Sequence, residues 1–292
     1  MGSRIEAAGI AWEAASGSID LETRAAEDCL ARAGVAATDV GLLINAGIYR
    51  DHHIVEPAIS SFVQRRIGAN GEYDDAHSTF SFDLSNGGCG LLTGIMVADG
   101  FLSSGLTEHA LVVAGDAEPE QGQSSGYDYV AAAAAVVLTP GGDEDGFVAF
   151  HAAADTTHID SYGGRIEWDC EGEQQVHLVM RDDAAYAQEC VDSADAAVKA
   201  FLAETGLELG DVDLVIPSQS PPRFVAGLRE RTGLGERVVD VTAEYGNVHT
   251  AGAGIALAGA LADGRFAAAR HVLFVTVGAG IATTLALYKV PR

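Results

Sequence analysis

The sequence predicts a layered α/β fold built from two similar halves, and three observations carry that expectation. The 292 residues alternate helix-like and strand-like stretches, the pattern of sheets covered by helices. A unit of the first half returns in the second. Two helical stretches are apolar all round, which places them inside the molecule rather than on its surface.

The first unit is RAAEDCLARAGVAATDVGLLINAGI, residues 24–48: an amphipathic helix, a stop at Gly34, a loop and a buried strand. Residues 194–220, ADAAVKAFLAETGLELGDVDLVIPSQS, place Gly206 and Val212 as Gly34 and Val40 are placed, each 172 positions later. Both glycines stand where a helix ends in the left-handed conformation. GIMVADGFLSSGLTEHALVVAGD (94–116) and GIALAGALADGRFAAARHVLFVTVG (254–278) then share an order: small-residue helix, glycine turn, histidine, apolar strand. Each follows an asparagine, Asn86 or Asn247. Neither helix has a clean polar stripe, so both are expected between two sheets. VDLVIPS and HVLFVTV are continuous apolar runs, suited to sheets covered on both faces. PGGDEDG (140–146) reads as a hairpin turn, and FVAFHAAA after it as one more strand of the first half. The halves are expected to divide near residue 165, into 1–165 and 166–292.

A hydrophobic fraction of 48% with 20% charged residues sustains a real core. The net charge of −25 repels phosphate backbones and anionic lipid, so nucleic-acid and membrane partners are not expected. The longest apolar runs, such as Tyr129 to Leu138, are too short to span a bilayer. The N-terminus lacks a basic segment followed by an apolar one, and a cytoplasmic chain is expected. Cys29, Cys89, Cys170 and Cys190 form no C-x-x-C pair, so neither a zinc site nor a disulfide framework is signalled. RDHH (50–53) reads as a solvated loop, because adjacent histidines point apart. No metal or other cofactor is expected.

The duplicated halves, the buried helix reached through DLSNGGCG (83–90), YGN before the second buried helix, and the closing VTVGAGIATTLALYK resemble the thiolase fold. Within it, the chain resembles the ketoacyl-ACP synthase III branch of condensing enzymes. The resemblance implies five layers, αβαβα, and an acyl group carried from coenzyme A or an acyl carrier protein on a cysteine at the start of the buried helix. Helix N-terminal amides lower a thiol pKa and make such a cysteine nucleophilic. A histidine and an asparagine then assist, donating hydrogen bonds to the thioester oxygen.

The family pattern D-I-S-N-A-C-x-G puts Asp83, Ser85, Asn86, Gly90 and Gly94 in register, and the nucleophile's slot then holds Gly88. Cys89 stands one residue late, a turn of about 100° on a helix. The family's P-H-Q is VIPSQS here, so Ser218 occupies the histidine's slot, and a hydroxyl is no base at neutral pH. The asparagine is kept as Asn247. His249, two residues on, is a candidate displaced base or a structural histidine. Gly88, with Gly278 and Gly280 of the GAGIA turn, is expected to form the oxyanion and substrate pocket, and Pro221-Pro222-Arg223 is expected to start a helix. The family's Gly-rich F-G-D-G-A-G turn is replaced by YDYVAAAAAV (127–136). The segment that in the family grips the coenzyme A nucleotide with tryptophan and arginine is skipped near the N-terminus.

Three readings follow. In the first, the chain is a catalytically reduced subunit that dimerises with an intact synthase III-like partner in fatty-acid, polyketide or specialised-metabolite biosynthesis. In the second, it is an acyltransferase with a rearranged centre: Cys89 carries the acyl group, Asn247 donates to the oxyanion, and His249 or Ser218 assists. In the third it is a binding or scaffold protein, since fold alone does not fix function. A homo- or heterodimer is expected, with an acyl carrier protein as a further partner and acyl-CoA or acyl carrier protein as substrate.

Overall fold

The computed structural model describes residues 2–13, 16–69, 78–120, 122–142, 145–168 and 176–292. Cys170 lies outside them. The first run of elements is β1 (Ser3–Trp12), α1 (Ser18–Ala33), β2 (Leu42–Asn45), α2 (Ile59–Ile67), β3 (Phe80–Asp83), α3 (Gly90–Ser103), β4 (Ala110–Asp116) and β5 (Ala132–Pro140). The second begins with β6 (Gly146–Ala154), β7 (Tyr162–Trp168), β8 (Val176–Asp182), α4 (Tyr186–Thr205), β9 (Leu214–Pro217) and α5 (Phe224–Thr232). It closes with the short α6 (Thr242–Tyr245), α7 (Gly252–Ala262), the short α8 (Arg265–Ala268), β10 (His271–Gly278) and β11 (Ala282–Lys289).

The repeat read from the sequence is a repeat of structure. One-turn 3-10 helices at Ala37–Asp39 and Leu209–Asp211, and strands β2 and β9, keep the same 172-residue spacing. Gly34 and Gly206 end α1 and α4 at φ 65° and 72°, and Val40 and Val212 are buried. Sheet order extends the equivalence to four strands, β1, β5, β4 and β2 matching β6, β11, β10 and β9. The first sheet runs β1-β5-β4-β2-β3 and the second β6-β11-β10-β9. In both, the strand that follows the buried helix, β4 or β10, pairs antiparallel on one side and parallel on the other.

That order corrects the reading of residues 140–154. β5 already has β1 on one side and β4 on the other, so it has no free edge for a hairpin with β6. β6 instead crosses over and pairs antiparallel with β11. It is the counterpart of β1 and opens the second repeat, so the expected division near residue 165 falls inside β7. As expected, Pro221 to Arg223 lead directly into α5.

Alternating side chains along each strand serve two layers. Leu43 and Leu111 face α1 with Leu21 and Ala25. Val112 and Val136 face inward onto Leu92 and Ile95 of α3 and Leu257 of α7, which meet Phe274 and Tyr288 of the second sheet from the other side. Beyond that sheet, Val275 and Leu285 pack on Val198 and Phe201 of α4. The stack is α1/α2, first sheet, α3/α7, second sheet, α4/α5: five layers. Each large apolar side chain fully buried in it contributes about 1.5–3 kcal/mol.

The halves differ at one insertion. β1 leads to α1 directly, whereas the antiparallel ribbon of β7 and β8 lies between β6 and α4. Leu178 and Met180 of this ribbon cover Tyr49, Tyr127 and Tyr129 of the first half.

Candidate functional site

Polar residues fix the chain where it approaches α3. Asp83 closes β3 and accepts the backbone N–H groups of Ile59 and Ser60 at the start of α2, with the Arg50 guanidinium 3.1 Å away. Asn86 donates from Nδ2 to Thr93 Oγ1 at 2.9 Å. Gly87 to Cys89 form a single 3-10 turn that runs into α3. Gly88 is buried there against β10. A Cβ added to Gly88 would stand 2.3 Å from the Val277 carbonyl oxygen, well inside van der Waals contact. Position 88, where the resemblance puts the nucleophile, therefore has no room for a side chain. Gly278 sits against the same turn, its own added Cβ 3.4 Å from the Gly88 nitrogen, and Gly280 makes the β10–β11 turn at φ 93°.

Cys89 is fully buried and turned toward the second sheet, with Sγ 3.5 Å from the Ala282 carbonyl oxygen. Loss of solvent raises its pKa above the ordinary thiol value, and hydrogen bonds from Thr276 and Thr284 offset only part of that. Cys190, near Tyr186, is pushed up to about 12 in the same way. Cys29, Cys89 and Cys190 are free thiols.

Ser218 is enclosed and accepts the Val277 N–H at 3.1 Å. Val277 thus closes two slots at once: its carbonyl meets Gly88 and its N–H meets Ser218. Gln219 is tied in as well, donating to the Pro217 and Val239 carbonyls and accepting from the Val241 N–H.

The other two residues face the first half. Asn247 donates from Nδ2 to Asp128 at 3.3 Å, while its backbone carbonyl accepts the Val130 N–H. His249 is buried, with Nδ1 3.0 Å from Asp116 Oδ2. A carboxylate only accepts, so the hydrogen sits on Nδ1. The same oxygen takes the N–H and the hydroxyl of Thr250, and Oδ1 takes the N–H groups of Ile48 and Tyr49. Burial alone would raise the Asp116 pKa; His249 and these donors outweigh it and hold the carboxyl below its usual range.

Around His249 stands a group of tyrosines. Its ring lies 4.6 Å from that of Tyr129 and 5.2 Å from that of Tyr49. Tyr162, brought by the ribbon, bonds the Tyr49 hydroxyl at 2.7 Å and the Tyr129 hydroxyl at 2.6 Å, and stacks on Tyr186. Motif spacing points to neither Asp116 nor these tyrosines. Their available signals are the aspartate ending an apolar strand, ALVVAGD, and the YDY run at 127–129. RDHH forms a one-turn 3-10 helix in which His52 and His53 take φ of 50° and 54°. Among the described residues no group of three or more His, Cys, Asp or Glu is placed to hold a metal ion.

Five layers, duplicated halves and two buried helices starting against β10 and Asp116 define a thiolase-like fold. Comparison with known proteins places it further. Residues 82–156 match the family 3-oxoacyl-[acyl-carrier-protein] synthase III, and residues 202–290 its C-terminal part. The β-ketoacyl-[acyl-carrier-protein] synthase III of Symbiobacterium thermophilum is 30% identical over 278 residues, covering 90% of this chain and 81% of that one. The same enzyme of Caulobacter vibrioides is 29% identical, covering 90% and 81%. The solved 3-oxoacyl-(acyl carrier protein) synthase III of Pseudomonas aeruginosa PAO1 superposes with a TM-score of 0.81 at 23% identity, covering 100% of this chain and 99% of that one. A priming β-ketosynthase of the R1128 polyketide pathway does so with 0.81 at 21%, covering 100% and 97%. This chain belongs to the 3-oxoacyl-[acyl-carrier-protein] synthase III family. No helix among the described residues is long and apolar enough to cross a membrane.

Proposed function

We propose that this chain is a catalytically reduced member of its family, working as the non-condensing subunit of a dimer with an intact synthase III-like chain in acyl transfer or condensation. One observation carries the reading: the nucleophile's slot at Gly88 is closed by the Val277 carbonyl. A buried thiol at Cys89 and a Ser218 oxygen bound to backbone support it. The partner would supply the cysteine and histidine and receive acyl groups from coenzyme A or an acyl carrier protein. Among the described residues nothing pairs with the outer edge of β3, the outermost strand of the first sheet, where Phe80 is exposed and packs on Phe82 and Phe101. Unpaired strand edges recruit other chains unless protected. Fatty-acid or polyketide assembly in the cytoplasm is the setting this reading implies.

Co-purification with an intact synthase from the same organism tests the proposal. The expected result is a mixed dimer that condenses while this chain alone is inert. A stable homodimer of this chain with its own acyl-transfer turnover would contradict it. Such turnover would favour the rearranged centre, for which the position of Cys89 at the N-cap of α3 is the supporting feature.

A further inference from the structure

Glu22 of α1 is 1% exposed, and among the described residues its Oε2 has no partner. Two glycines make room for its side chain. A Cβ added to Gly47 would stand 2.5 Å from Glu22 Oε1, and one added to Gly115 would stand 2.7 Å from Glu22 Cγ. The carboxyl thus lies directly against the segment 46–53 that follows β2. Charged groups face it from every side of this region: Asp116 at the end of β4, Asp83 at the end of β3, and Arg50 and Asp51 of the segment itself. The one cation among them, Arg50, is 3.1 Å from Asp83, and Asp116 is already matched by His249. A second buried carboxylate has no counter-charge left, so the neutral form of Glu22 is the one the folded chain accommodates.

Of the two surfaces in contact, α1 is the fixed one, with Leu21 and Ala25 fully buried on either side of Glu22. The segment is tied at few points. Ala46 N–H reaches the Val113 carbonyl, Ile48 and Tyr49 N–H reach Asp116 Oδ1, His52 N–H reaches the Pro119 carbonyl, and Asp51 accepts from the start of α1. Two clefts border it and leave it space to move: one of about 810 Å³ at Asp51 and His52, another of about 510 Å³ at Ile48, Tyr49 and Arg50.

We infer that Glu22 is a proton-dependent latch on this segment: neutral, it lets residues 46–53 seat on α1; ionised, it is repelled by Asp116, Asp83 and Asp51, and the segment lifts. Lifting draws Tyr49 away from the His249 ring, 5.2 Å from its own, and from the Tyr162 hydroxyl. The polar hub is then opened as pH rises and closed as it falls. The latch involves no acyl chemistry and stands apart from the proposed function.

Hydrogen exchange followed by mass spectrometry tests it, with protection taken relative to the unfolded chain between about pH 5 and 9. Protection of residues 46–53 in the parent protein should fall at least about tenfold across that range while β10 keeps its own, and in Glu22→Gln residues 46–53 should show no such fall. Constant protection of 46–53 in the parent, an equal fall in Glu22→Gln, or a fall shared by β10 would each overturn the inference. The comparison of the two segments within the parent protein needs no variant.

Discussion

The two buried helices share the central layer but begin differently. α3 begins in a dry turn of glycines pressed against a β10 carbonyl. α7 begins just after Asn247, His249 and Thr250, the last two bound to the buried carboxylate of Asp116. The two starts hold equivalent places in the repeat, and their side chains make one a packing contact and the other a polar hub. Position 88 is thus sterically closed, while elsewhere in the same layer the fold sustains a buried charge.

Substitutions at the two helix starts sharpen this contrast. The largest effect is expected at the polar hub. Asp116→Ala leaves His249, Thr250 and the N–H groups of Ile48 and Tyr49 without their acceptor, and urea denaturation should show a loss of about 3–5 kcal/mol. At the closed turn before α3, Gly88→Cys restores the family's residue but drives its Cβ into Val277. It should cost about 1–3 kcal/mol and gain no acyl-transfer activity; a stable Gly88→Cys protein that takes an acyl group would break the comparison. Cys89→Ala removes one buried sulfur and should cost about 1 kcal/mol, with the activity of the mixed dimer unchanged.

A fourth effect depends on pH and sets two buried carboxyls of the same region against each other. Glu22 of α1 is enclosed, and among the described residues one of its oxygens has no partner. Burial first, then the charges of Asp116, Asp83 and Asp51, raise its pKa well above 4.5, with Arg50 opposing. The folded state therefore holds a proton that the unfolded state releases, and stability falls as pH rises above about 4.5 toward the raised value. Asp116, whose pKa is depressed, acts in the opposite sense: its contribution is present above its unfolded pKa and is lost as pH falls through the folded one. Denaturation of Glu22→Gln across pH 4 to 8 should give a flatter slope than the parent protein. An unchanged slope would show that Glu22 is ionised in the folded state.

The fold is legible in the sequence because the repeat is written in residues whose physics is local. Gly34 and Gly206 end helices, and Val40 and Val212 open buried strands. The strand at 146–154 escapes a correct assignment for the opposite reason: an apolar strand suits either sheet, and only the occupied edges of β5 decide which one it joins. At the site, motif spacing locates Gly88, Cys89, Ser218 and Asn247. What it cannot give is the Val277 carbonyl over Gly88, a contact between residues 189 positions apart. Nor can it give the tyrosine group, which comes together only when the β7–β8 ribbon folds over the first half.

The claim that the condensing centre is shut in this chain is tested most directly by intact-protein mass spectrometry. The purified chain, with Cys89→Ala as control, would be incubated with a panel of acyl-coenzyme A thioesters and acyl carrier proteins. The expected result is an unchanged mass for both proteins. A mass gain of one acyl group that disappears in Cys89→Ala would contradict the account and make Cys89 a working nucleophile.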